Sequence, residues 1–211
     1  MKESQLSIDE TRDMFIHVSK KIEVSKDRLT QADKAIGDGD HGVGMARGFL
    51  AVKEKIEGKS FSSIGDLLST IGMTLMTSIG GAAGAIFGTL FREGAKNLKD
   101  KEIFNASVLI TMLSDGLEAV KQRGKAEIGD KTMVDALEPA VQKIKEYKND
   151  SLKDALVVAS EGARLGMEKT KDMIATIGKA KTLGERAIGH VDPGAISIYL
   201  ILKFMTEYVS M

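Results

Sequence analysis

Glycine punctuates this chain in bursts. Most of its 22 glycines fall within 37–48, 80–88, 124–129 and 184–194, and only two prolines occur in 211 residues. Between the bursts, apolar residues recur every three or four positions, the spacing of one helix face. Phe15, Val18, Ile22 and Leu29 form one such face; Met45, Phe49, Val52 and Ile56 a second, ended by Gly58. Leu67, Leu68, Ile71, Leu75 and Ile79 form a third, and Ile86, Phe87, Leu90 and Phe91 a fourth. Val108, Met112, Leu117 and Val120 mark a fifth. A sixth, with Met133, Leu137, Ala140 and Ile144, is expected to kink at Pro139. Leu152, Leu156, Ala159 and Ala163 mark a seventh, trailing towards Ile177, and Ile196, Tyr199, Leu200 and Phe204 an eighth. Start signals agree: a capping box at Ser7 and Glu10, Asn105, Ser151 with Asp154, and Asp192 followed by Pro193. No alternating strand pattern of useful length is found. The reading is all-α, one domain over 1–211, a bundle of eight amphipathic helices.

Short connections make neighbouring helices antiparallel. Loops after the first, third, fifth and seventh helices then share one end of the bundle. Those loops are the four glycine bursts, so that end is the expected functional site. Net charge is zero, which gives no basic surface for nucleic acid. The absence of cysteine excludes disulfides and thiolate chemistry. No run of about 18 apolar residues predicts a membrane span. Met1, Lys2, Glu3, Ser4 and Gln5 are polar and form no signal-peptide core, so a cytoplasmic location is expected.

The first burst carries the densest chemistry. Asp33, Asp38 and Asp40 lie among Gly37, Gly39 and Gly42. Three carboxylates this close repel one another unless a cation sits between them, and oxygen donors on short arms suit Mg²⁺ or Ca²⁺. A solvated acidic turn is the plainer alternative. An EF-hand does not fit, because the twelfth position from Asp33 is Gly44 rather than Glu. His17, His41 and His190 lack zinc-site spacing; His41 is placed to orient a carboxylate or touch a ligand. Gly80, Gly81, Ala82, Ala83 and Gly84 open a helix whose free N–H groups suit phosphate oxygens, although such runs also allow close helix packing. Lys125, Lys131, Lys179 and Arg186 bring cations to the same end, with Thr132 and Asp192 as polar contacts or helix caps. Metal, phosphate cradle and cations together indicate a nucleotide polyphosphate. ADP and the three Asp each contribute about three negative charges, which favours two Mg²⁺. No Walker or protein-kinase glycine loop is present.

Gly37, Asp38, Gly39, Asp40, His41 and Gly42, then Gly80, Gly81 and Ala82, then Arg123, Gly124, Lys125 and Gly129 through Met133, then Leu183 through Arg186 with Gly189, His190, Asp192, Pro193 and Gly194, occur in the order of a known family. Over almost the whole chain the sequence resembles the ADP-binding L subunits of bacterial dihydroxyacetone kinases. The resemblance implies a barrel of eight antiparallel helices with nucleotide at one end. It implies two Mg²⁺ on Asp33, Asp38 and Asp40, and nucleotide contacts from His41, Gly42, Gly44, Gly80, Gly81, Ala82, Ala83, Gly124, Thr132, Met133, Lys179, Asp192, Pro193 and Gly194. With the three Asp, Lys179 is assigned to catalysis, where it offsets phosphate charge. A ketose held covalently on a histidine of a partner K subunit receives the phosphoryl group. An M subunit of the phosphoenolpyruvate phosphotransferase system recharges bound ADP, which serves as a cofactor. The chain departs from the family pattern at Gly44 (for Asn), Ala83 (for Ser), Lys179 (for Arg) and Thr182 (for Tyr). Two other readings stay open. One is the nucleotide domain of a fatty-acid kinase, against which His41, Gly42 and the 123–133 stretch argue. The other is a signalling subunit that binds a transcription regulator.

Overall fold

The structure is a computed structural model that describes residues 4–211; Met1, Lys2 and Glu3 of the polar N-terminal stretch lie outside the described residues. Its α-helices are α1 (Ile8–Val24), α2 (Lys26–Ile36), α3 (His41–Ile56), α4 (Ile64–Ser78), α5 (Gly81–Gly94), α6 (Ala106–Gly124), α7 (Val134–Glu146), α8 (Leu152–Lys169) and α9 (Pro193–Val209). The chain is all-α in class, as the spacing predicts. The caps read from sequence form: Ser7 and Glu10 close their box, and Asn105, Ser151 and Asp192 accept from the N–H groups of Val108, Asp154 and Ala195.

Three details differ from expectation. The first predicted helix is two, α1 and α2, parted at Ser25. Its apolar stripe has a serine where the next turn calls for an apolar residue, and the Ser25 hydroxyl donates to the Lys21 carbonyl at 2.8 Å. The seventh helix stops at Lys169 instead of running towards Ile177, and short 3₁₀ turns follow at Thr170–Asp172 and Lys179–Ala187. Two three-residue strands, β1 (Gln5–Ser7) and β2 (Ile103–Asn105), pair antiparallel with Leu6 opposite Phe104. Three residues are too few for alternation to be legible. The helix α7 runs on through Pro139 to Glu146.

The helices form a closed ring. Around it α1 packs on α3, each helix from α3 to α9 packs on the next, and α9 returns to α1, with α2 beside α3 and α9. The interior is one apolar cluster running from Leu6 to Val209, with Phe15 edge-on to Phe91 at 5.7 Å. The ring closes tightly where side chains vanish. A Cβ on Gly166 of α8 would stand 2.0 Å from the Asp135 carbonyl of α7. The sequence thus permits a helix crossing there that no larger residue allows.

Candidate functional site

All four glycine bursts supply residues to one cavity of about 1000 Å³ at one end of the ring. Helix parity carries a second consequence. The helices α3, α5, α7 and α9 all begin at this cavity, at His41, Gly81, Val134 and Pro193. Their positive dipole ends therefore converge on it, although His41, Val134 and Ala195 give N–H groups to Asp33, Thr132 and Asp192. Ile36, Val43, Ile79, Ile86, Phe87 and Val120 give it apolar walls.

The acidic loop occupies one side. Asp33 belongs to the last turn of α2 and is 7% exposed; Asp38 and Asp40 follow on an exposed loop that Gly39 turns at φ 81°. Asp33 accepts the His41 backbone N–H at 3.1 Å. One carboxylate oxygen from each of the three Asp lies within 4.8 Å of the other two. Across the cavity mouth, the Lys179 ammonium donates to Asp38 and, at 3.2 Å, to Asp40. Its hydrogen bond holds the Asp38 carboxyl below the usual range and raises the lysine in turn. Asp38 and Asp40 thus already share a positive charge, and the all-oxygen donor set of the three Asp fits a hard divalent cation.

His41 starts α3 and is 9% exposed, with Nε2 2.8 Å from the Ser197 hydroxyl on α9. That hydroxyl donates to the Pro193 carbonyl at 3.1 Å, so the ring offers it an Nε2–H. Burial lowers the His41 pKa below its ordinary value, which keeps the ring neutral at pH 7. Opposite, Gly80 at φ 84° turns the chain into α5, with no side chain capping the first turn. The turn residues Gly80, Gly81, Ala82 and Ala83 all line the cavity.

Thr132, Met133, Asp192, Pro193 and Gly194 form the third side. Asp192 caps α9 through Ala195 N–H at 2.7 Å, and burial pushes its carboxyl up to about 7. Gly194 lets α9 approach Met133, where an added Cβ would sit 3.3 Å from the Met133 Cβ. Gly44, Gly124 and Lys179 also line the cavity.

Several expected residues are placed elsewhere. Gly42 is not among the lining residues; its Cα faces α2, where a Cβ would meet the Lys26 carbonyl at 2.3 Å. Lys125, Arg186 and His190 do not line the cavity. Lys131 does, yet it is only 2% exposed and its ammonium is engaged by backbone carbonyls. Sequence reasoning missed two residues. Arg47 donates to the carbonyls of Ser78, at 2.7 Å, and Ile79, securing the end of α4 beneath the Gly80 turn. It lies seven residues after Asp40, two turns along the same helix face, and that spacing was the available signal. Asp135, 1% exposed, accepts the N–H groups of Gly129 at 2.6 Å and Thr132 at 2.7 Å and so shapes the turn before α7.

The family model for the DAK2 domain matches residues 35–207. This chain belongs to the DAK2-domain family. Over 187 residues it is 40% identical to "PEP-dependent dihydroxyacetone kinase 1, ADP-binding subunit DhaL" of Listeria innocua serovar 6a, with 89% of each chain covered. Over 179 residues it is 42% identical to the ADP-binding subunit DhaL of the Escherichia coli K12 PEP-dependent dihydroxyacetone kinase, covering 84% of this chain and 85% of that one. Its fold is similar to the crystal structure of the dihydroxyacetone kinase from C. freundii in complex with AMP-PNP and Mg²⁺, with TM-score 0.73 and 26% identity. That match covers 93% of this DAK2 chain and 33% of the kinase, so the chain spans about a third of its solved relative. Among the described residues no helix is long and apolar enough to cross a membrane.

Proposed function

We propose that this DAK2 chain is the nucleotide-holding, phosphoryl-transferring subunit of a dihydroxyacetone kinase. The observation that carries the reading is the meeting of the three Asp carboxylates with four helix N-termini around one cavity. Acidic groups alone would repel a polyphosphate. Helix N-termini alone would bind any anion. Their combination selects an anion that arrives with divalent metal, which is what a nucleotide di- or triphosphate is. The names of the DhaL relatives and the AMP-PNP and Mg²⁺ of the solved kinase point the same way.

Asp33, Asp38 and Asp40 would hold the metal, two Mg²⁺ by charge balance. When bound, Mg²⁺ supplies charge neutralisation on the phosphate oxygens. The N–H groups of Gly81, Ala82 and Ala83 orient the phosphates from the start of α5. Lys179 leaves its carboxylate partners for the phosphates and offsets charge that develops during transfer. His41 stays neutral and braces α3 against α9 through Ser197. Gly44, Gly80, Gly124, Thr132, Met133, Asp192, Pro193 and Gly194 shape the nucleotide site, while Gly42 sets the approach of α3 to α2. The named groups are all engaged with metal, phosphate or fold, and none is left to hold a small ketose. A substrate-bearing K subunit must therefore cap this end, present the hydroxyl in line and exclude water. Recharging of bound ADP by an M subunit, action of residues 1–211 as one domain, and a cytoplasmic location complete the proposal. The test is an assay of the purified chain with Mg²⁺-ATP and dihydroxyacetone, with and without the K subunit. Turnover is expected only with the partner; robust turnover by the chain alone would make it a complete kinase.

A further inference from the structure

The stretch 170–190 lines one side of the cavity through Ile177 to Ala180, and its middle is tied to the turn before α7, where the Thr176 hydroxyl and backbone N–H donate to the Asp130 carboxylate and carbonyl. Its only buried side chains are Thr170, Ala175 and Ala187, and of its larger apolar side chains only the half-buried Ile177 packs on the core. Its regular structure is limited to 3₁₀ turns. Hydrogen bonds hold it instead. Gly189 N–H meets the Lys171 carbonyl at 2.7 Å, and Asp192 N–H meets the Thr170 hydroxyl at 3.0 Å.

One side chain joins both ends of this stretch to the opposite wall. Lys131 sits in the turn before α7 with φ 61°, a left-handed conformation that a non-glycine residue adopts only when its surroundings impose it. Its ammonium donates to the Thr170 carbonyl and, at 2.6 Å, to the His190 carbonyl. With two donors engaged and the residue 2% exposed, it is poorly placed to serve as a phosphate ligand. Burial of an ammonium and a strained backbone both oppose folding. Asp192, Asp135 and Asp172 counter the burial electrostatically. A solvated lysine would serve charge balance at lower expense, so the buried one calls for a reason in its contacts. Those contacts fix where Asp192 and Gly194 stand relative to Thr132 and Met133, the two faces of one cavity wall.

We propose that Lys131 is a positioning residue for nucleotide retention: its ammonium clasps the two ends of 170–190 to the turn before α7 and so keeps that wall closed on the bound nucleotide. The inference rests on the nucleotide reading above. It is tested with a fluorescent ADP analogue and Mg²⁺, whose dissociation rate is measured from wild type, Lys131→Met, Lys131→Arg and Thr170→Val. Loss of charge-assisted hydrogen bonds should accelerate release from Lys131→Met by about tenfold or more. Amide exchange at 187–192 should quicken alongside, with helix content unchanged. Lys131→Arg, which keeps charge and donors, should restore much of the retention, which a purely structural packing role would not predict. Thr170→Val removes the hydroxyl that accepts from Asp192 N–H and donates to the Met167 carbonyl, and should accelerate release by about threefold. Release within twofold of wild type from Lys131→Met would overturn the proposal. If that variant does not fold, an unchanged rate in Thr170→Val overturns it, and a faster one supports it. Wild-type protein that binds no nucleotide would instead remove the nucleotide reading, and this inference with it.

Discussion

The acidic wall at 33–41 and the facing wall at 170–192 meet across the same cavity, yet they are held by different means. Asp33 and His41 are rooted in α2 and α3, buried and tied to each other by the hydrogen bond from the His41 backbone N–H to the Asp33 carboxylate. The facing wall hangs from the ends of α8 and α9, with two alanines and a threonine buried, Ile177 and Val191 half-buried against the core, and a buried lysine as its clasp. A wall built on helix ends can present metal ligands whether or not nucleotide is there. A wall built on hydrogen bonds between loops can open for exchange. The comparison predicts that damage to the first wall abolishes binding, while damage to the second changes rates.

The largest expected effect is on the first wall. Asp38 is exposed, so Asp38→Ala should leave the unliganded melting temperature nearly unchanged. Stabilisation by Mg²⁺-ADP, about 2.7 kcal/mol at a hundredfold excess over Kd, should vanish. Thermal melts that still shift with Mg²⁺-ADP as in wild type would show that the carboxylates do not hold the metal.

Next is Lys179, which reaches from the second wall to the first. Lys179→Ala in the reconstituted kinase should lower kcat by about 10²–10³, the usual loss when a preorganised charge-stabilising donor is removed. Nucleotide affinity should fall far less. Equal losses in both, by steady-state kinetics and calorimetry, would make it a binding group only.

Packing behind the second wall is tested at Gly166. A Cβ there meets the Asp135 carbonyl at 2.0 Å, and Asp135 shapes the turn that carries Lys131 and Thr132. Gly166→Ala should destabilise the fold by about 1–3 kcal/mol or more in denaturant unfolding and weaken nucleotide binding with it. Unchanged stability would mean that α7 and α8 can part there without consequence.

Asp192 gives a milder, pH-dependent signature. Its carboxyl is raised from 3.8 to about 7 in the folded state, so the folded state holds a proton that the unfolded state has lost between those values. That contribution to stability is complete below about 4 and is lost as pH rises through about 7. Asp192→Asn should remove this fall from a melting-temperature profile of the unliganded protein. A profile identical to wild type would show the carboxylate to be ionised and stabilised by the start of α9.

The smallest effect belongs to the phosphate turn. Ala83 lines the cavity at the start of α5, where a hydroxyl could add one hydrogen bond to a charged group. Ala83→Ser should tighten ADP by up to about tenfold in calorimetry. Unchanged affinity would mean that another group already meets that oxygen.

The sequence by itself determined most of the helices, their caps and the gathering of the glycine bursts at one end of the bundle, but not the break at Ser25 or the stop at Lys169. Periodicity, capping residues and glycine bursts are local, and helix parity follows from counting. Asp33, Asp38 and Asp40 were legible because all three lie in one short loop. Only the tertiary structure decided what distant segments do to one another. It closed the ring of α9 on α1, turned four helix N-termini towards one cavity, and set Lys179 against Asp38 and Asp40. It also took Lys131 out of solvent and gave Arg47 to the end of α4. Lysines in neighbouring loops look alike in a sequence. Whether an ammonium meets water, a carboxylate or two buried carbonyls depends on chain brought from far away, and no local pattern records it.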